Sequence, residues 1–168
     1  MVVGALCTVK QLSPNKACVV STAAPPRPRT LPTCFIDVLL DWDSTWMWDS
    51  LRLVGDDNWI EEAISLGTLI AVTDGSYIKQ QYPNLCSAAF VLECSAGRGR
   101  IVGSFPECSS SANAYRGELL GLMAIHLILL ATNTVNPTLS GDVTIYSDCL
   151  GALDRVATLP ATRIPTRC

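Results

Sequence analysis

Leu119 to Val135 form an almost wholly apolar run, broken only by His126 and by Thr132-Asn133-Thr134. A helix of that composition has almost no polar face to offer water, so it must be covered on most sides. The run falls short of the ~20 residues of a bilayer span, and the charged Arg116-Gly117-Glu118 stands directly upstream. The reading is therefore a buried helix laid over a sheet, with no membrane partner. The flanks supply the sheet. Strands are predicted over 68–74, about 87–94, about 100–105 and 143–147. Ser95-Ala96-Gly97-Arg98-Gly99 turns the second into the third as an antiparallel hairpin. The long helix is expected from about Asn113 to Thr132, capped by Ser109–Ser111 or by Asn113, and a second helix begins near Cys149.

The order β-β-β-α-β-α places the chain in the α/β class with a mixed sheet. Three antiparallel strands come first, and the fourth returns through a right-handed crossover to lie beside the first and parallel to it. Ahead of them, Asn58-Trp59-Ile60-Glu61 has capping-box spacing, opening a short helix that runs through about Ser65 and stops at Gly67. These limits divide the chain into an irregular extension or linker, 1–57, and a domain, 58–168. Within the extension, residues 1–33 have no sustained period, and 23–32 read as an extended polyproline segment. Trp42, Trp46 and Trp48 stand among Asp41, Asp43 and Asp49. Trp42 and Trp46 are spaced to share a helix face. A stacking platform for bases is conceivable there, but the acidic neighbours repel phosphate, so packing against the domain is the preferred reading.

The formal net charge is −3, without the basic footprint of electrostatic nucleic-acid binding. The imbalance lies in residues 1–67, with five Lys/Arg against eight Asp/Glu; residues 68–168 carry seven of each. Eight cysteines are scattered, with no Cys-x-x-Cys pair. That argues for reduced thiols without disulfide partners. No Asn-x-Ser/Thr acceptor occurs, and Met1–Cys7 is too short and lacks the basic start of a signal peptide. The expectation is an intracellular protein, cytoplasmic or nuclear, not secreted.

Three acids occupy compatible places. Asp74 ends the first predicted strand and precedes Gly75-Ser76; Glu118 lies in the second turn of the long helix; Asp148 follows the fourth strand. If the first and fourth strands are adjacent and parallel, both aspartates sit at their carboxyl ends, and the crossover helix can bring Glu118 above them. Clustered carboxylates repel one another unless cations hold them, and hard oxygen ligands select Mg2+ or Mn2+. Two such ions suit in-line attack on a phosphodiester. The alternative is a structural domain whose acids are solvated loop ends.

From about Thr68 to Val156 the chain resembles type 1 ribonuclease H, of the kind appended to reverse transcriptases of non-LTR retroelements. The motifs that carry the resemblance are Thr73-Asp74-Gly75-Ser76, Arg116-Gly117-Glu118-Leu119 and Ser147-Asp148. The resemblance implies metal-dependent hydrolysis of the RNA strand of an RNA–DNA hybrid, leaving a 3′ hydroxyl and a 5′ phosphate. It implies that Asp74 bridges two ions, that Glu118 holds one and helps position the attacking water, and that Asp148 completes the site. Gly75 and Ser76 would let the hybrid backbone approach, and Arg116 would reach a phosphate or pair with a neighbouring acid. The family also uses a fourth carboxylate on a later helix and a histidine before it, and neither follows Asp148 before Cys168. Asp154 is expected to face solvent, and His126 to be a core or edge histidine. The domain is accordingly expected to be incomplete at its C-terminus. The alternative function is a truncated, catalytically inactive remnant that at most binds nucleic acid. Integrase and transposase cores share acids on the first and fourth strands but take their last acid from a late helix, unlike Glu118.

Overall fold

The computed structural model describes residues 7–13, 16–21, 32–42, 44–56 and 58–157. The chain divides into two compact units, 1–31 and 32–168. In the first, β1 (Cys7–Ser13) and β2 (Lys16–Ser21) pair antiparallel, from Cys7↔Ser21 to Ser13↔Lys16. This hairpin falls where no periodic element is expected, because the two runs are short and only Pro14-Asn15 marks a turn between them. The polyproline reading of 23–32 lies, apart from Pro32, outside the described residues.

The second unit is built on alternation. In β4 (Leu69–Tyr77) Leu69, Ala71 and Thr73 are buried, while Val72, Asp74 and Ser76 are exposed. The same period runs through β5 (Leu85–Cys94), which buries Cys86, Ala88, Phe90, Leu92 and Cys94, and through β6 (Arg100–Cys108), which buries Ile101 and Phe105. A half-covered antiparallel sheet has this pattern. β4 pairs with β5 and β5 with β6, both antiparallel. β7 (Val143–Tyr146) lies parallel to β4, from Leu69↔Val143 to Val72↔Tyr146. The expected adjacency of the first and fourth strands of the domain is thus present, and the order is β3-β6-β5-β4-β7. The fifth strand, β3 (Arg52–Val54), pairs antiparallel with β6 and was not expected. With three residues it is too short for any period to reveal it.

The boundary expected at residue 57 is not where the compact units separate. Residues 32–56 belong with the sheet because their apolar side chains complete its core. Helix α1 (Phe35–Asp41) buries Phe35, Val38 and Leu39, an i, i+3, i+4 set. Asp37 Oδ2 accepts from the backbone N–H groups of Thr33 (3.1 Å) and Cys34 (3.3 Å), anchoring its start. The 3-10 turn Thr45–Met47 follows. Trp42 ends α1 in extended backbone and Trp46 lies in this turn, so the two do not share a helix face as expected. Trp48 is buried, while Trp46 is 41% exposed. Trp46 meets Phe105 edge-on at 5.2 Å between ring centroids, and Trp48 meets Phe90 at 6.3 Å.

Helix α2 (Trp59–Ser65) starts after Asn58 as expected, but without the reciprocal side-chain bonds of a capping box. Asn58 has helical angles (φ −103°, ψ −11°) instead of the extended ones that aim an N-cap side chain at the helix. Glu61 Oε2 instead accepts from Asn136 Nδ2 at 2.8 Å, tying α2 to the end of the long helix. Gly67, at φ +63°, closes α2 in the left-handed conformation.

The long helix α3 (Ala114–Val135) is capped by Asn113, whose Oδ1 accepts from Arg116 N–H at 2.8 Å. It crosses β4 and β5, burying Ala124, Ile125, Ile128 and Ala131 against the strands. Among the described residues it is the one helix long and apolar enough to cross a membrane; 44% of its most apolar stretch is buried here. Helix α4 (Leu150–Ala157) closes the described chain. Asp154 is exposed on it, as expected. Cys86 and Cys94 are buried free thiols on the covered face, each with one polar neighbour, Glu107 and Thr68 respectively.

A candidate metal centre at the open edge of β4

β4 is longer than the sequence suggested. Asp74 does not end the strand, which continues through Gly75 and Ser76 to Tyr77 with β5 as partner on one side. What ends near Asp74 is the ladder on the other side, since β7 pairs only as far as Val72↔Tyr146. Beyond that point the outer edge of β4 has no strand partner among the described residues. Backbone donors at such an edge must find another acceptor. Gly75 N–H finds Glu118, donating to Oε1 at 2.8 Å.

Close contact of helix and strand makes that bond possible. A Cβ on Gly75 would overlap the backbone of Gly117 and Glu118, and one on Gly121 would overlap Thr73 Oγ1. A Cβ on Gly117 would come within 2.8 Å of Ser87 O. The three missing side chains let α3 lie directly on β4 and β5. Thr73, 3% exposed, meets Gly121 and satisfies its hydroxyl by donating to Ala89 O at 3.1 Å. The spacing Gly117-x-x-x-Gly121 is the sequence signal for this crossing, masked by the apolar run around it.

Asp148 arrives from the third direction, in the turn between β7 and α4. Ser147 Oγ accepts from Cys149 N–H at 3.2 Å and donates to Glu118 Oε2 at 3.5 Å. One carboxylate oxygen from each of Asp74, Glu118 and Asp148 falls in a group whose members all lie within 4.8 Å of one another. The sequence pointed to these three residues, and they converge. By alternation Asp74 belongs to the uncovered row of β4, opposite α3. It reaches Glu118 because the sheet has an edge there.

Asp74 and Asp148 are exposed, whereas Glu118 is 7% exposed. Burial pushes the Glu118 carboxyl above its ordinary pKa, and the charges of Asp148 and Asp74 push the same way. The Gly75 N–H and the Ser147 hydroxyl oppose the shift. A desolvated carboxylate facing two others is a costly arrangement in the absence of a cation. Three hard oxygen ligands in one group could hold a divalent metal ion such as Mg2+ or Mn2+.

The other residues singled out by sequence have different surroundings. The space left by Gly75 is filled by α3. Ser76 is exposed on the uncovered row, two residues from Asp74. Arg116 pairs with Glu107, its Nε donating to Oε2 at 2.5 Å and its NH2 group to Oε1. That ion pair holds the Glu107 carboxyl below its ordinary pKa. Cys86 Sγ adds a contact to Glu107 Oε2 at 3.5 Å. Of the two roles open to Arg116, pairing with an acid is the one observed. His126 is at an exposed position, its Nδ1 2.8 Å from Leu122 O on its own helix. No family model, curated protein or solved structure matches the chain.

Proposed function

We propose that the chain is a ribonuclease H-like domain that hydrolyses the RNA strand of RNA–DNA hybrids with Mg2+ or Mn2+, of the retroelement-associated kind its motifs resemble. The observation that carries the reading is the convergence of Asp74, Glu118 and Asp148 within 4.8 Å. They arrive from a strand, a crossover helix and the turn after a parallel strand, in the order β-β-β-α-β-α that such a domain requires. A bound pair of divalent ions would polarise the scissile phosphate and lower the pKa of an attacking water. The chain's part is to hold ligands. Asp74 and Asp148 offer exposed oxygens, and Glu118 is oriented by Gly75 N–H and Ser147. The nucleic-acid partner would lie along the exposed side of the edge, beside Ser76.

A second reading has its own support. Among the described residues the group contains three carboxylates, and Arg116 is committed to Glu107. A catalytically inactive remnant of such a domain, which at most binds nucleic acid, would have these features.

One experiment separates the readings. A hybrid with a labelled RNA strand is incubated with the wild type and with Asp74→Asn, in Mg2+, in Mn2+ and in EDTA. Metal-dependent cleavage lost in Asp74→Asn supports the nuclease. A metal-dependent rise in Tm without cleavage supports the remnant, and a wild type with neither response ends the nuclease and its metal centre.

A further inference from the structure

Asp148 stands at the least supported point of the cluster. β7 has four residues and one ladder, to β4, and no partner on its outer edge among the described residues. Helix α4 adds little burial near Asp148: Ala152 is fully buried, but Leu150 is 70% exposed. Packing alone therefore leaves the turn that carries Asp148 loosely determined.

Two hydrogen bonds bracket that turn. Before Asp148, Ser147 Oγ donates to Glu118 Oε2 at 3.5 Å while accepting from Cys149 N–H at 3.2 Å. After it, Tyr115 Oη donates to Gly151 O at 3.3 Å. Both reach α3, at Tyr115 and Glu118, which are three residues apart and so share a helix face. Within the turn, the N–H groups of Ala152 (3.0 Å) and Leu153 (3.1 Å) donate to Cys149 O, so residues 149–153 move as one unit.

We propose that Tyr115 and Ser147 are positioning residues, a two-point latch that holds the first turn of α4 on the first turn of α3 and so sets the separation of Asp148 from Glu118. The proposal rests on the metal-centre reading above. It gives Tyr115 a role unrelated to substrate. Its ring is exposed at the surface, and its hydroxyl acts on cation affinity through the placement of Asp148.

The test measures the Mn2+ concentration that gives the half-maximal rise in Tm, for wild type, Tyr115→Phe, Ser147→Ala and Ser147→Thr. Tyr115→Phe and Ser147→Ala should each raise that concentration by about two- to tenfold, the range of one hydrogen bond. In EDTA the Tm of Tyr115→Phe should stay close to that of the wild type, while Ser147→Ala should lose a little because Cys149 N–H is left without its acceptor. Ser147→Thr keeps the hydroxyl and should restore the wild-type midpoint. A purely structural role would lower Tm in EDTA and leave the Mn2+ midpoint unchanged, which overturns the latch. If the wild type gives no Mn2+ response, the metal centre fails and the latch fails with it. If the wild type responds and both hydroxyl deletions keep its midpoint, the latch alone is wrong.

Discussion

The two faces of the five-stranded sheet are made by the same strands and have opposite fates. On one, Leu69, Ala71, Phe90, Leu92, Ile101 and Phe105 disappear beneath α1, α2, α3 and the tryptophan segment. On the other, Val72 (46% exposed), Val102 (38%) and Tyr146 (56%) face outward, and no described element covers them. The three carboxylates do not share one face. Asp74 comes from the uncovered row and Glu118 from the helix over the covered one, and they meet only where β7 stops and leaves β4 with a bare edge. The covered face determines whether the unit folds. The edge is where the three carboxylates that could hold a metal ion gather.

The contrast should be sharpest in stability. Phe90, 1% exposed and in ring contact with Trp48 and Phe105, should cost about 3–5 kcal/mol as Phe90→Ala in urea unfolding. Val102→Thr on the other face should stay within about 0.5 kcal/mol. A large loss at Val102 would mean that something covers the outer face in solution. Gly75→Ala comes next, at about 1–3 kcal/mol, because the added methyl must push α3 from β4. It should also abolish the cation-dependent rise in Tm, tying covered face to edge; an unchanged cation response would show that the helix crossing does not set the site. Asp74→Asn should remove the cation response while leaving urea stability in EDTA within about 1 kcal/mol of the wild type. A retained Mg2+ response in that variant would move the site elsewhere.

The smallest effects concern pH, and they have opposite signs. The raised pKa of Glu118 contributes stability that is fully present below its unfolded value and is lost as pH rises through the folded one. In EDTA, Glu118→Gln should therefore flatten a decline in Tm just above the ordinary carboxylate range. Glu107, lowered by Arg116, contributes stability that is present above its unfolded value and is lost as pH falls through the folded one. Glu107→Gln should flatten the acid side instead. The same slope in both variants would contradict the assignment of one acid to burial and the other to an ion pair.

Much of this was legible in the residues. Short apolar runs and the turn Ser95–Gly99 marked β4, β5 and β6 to within a few positions, and the apolar length of α3 required a sheet beneath it. The three acids stood out because each bordered or lay within a strong element. Where the reading stopped short, the determinants were tertiary. β4 outruns its expected end because β5 continues to pair it through Gly75 and Ser76, residues of low strand propensity. The segment 32–56 read as an extension because its elements are a seven-residue helix, a single 3-10 turn and a three-residue strand. None is long enough for a sustained period, and each is stabilised by the core it joins. That Arg116 would pair with an acid was within reach of the sequence, but which acid was not, because Glu107 is brought to it by β6.

The bond from Gly75 to Glu118 has one more consequence. An exposed strand edge with free amides invites a neighbouring molecule to add a strand and begin a polymer. Here a short edge strand protects the first half of β4, and a charged side chain occupies an amide in the second, so the carboxylate also acts as a guard against self-association. Its removal should therefore appear first as turbidity on concentration.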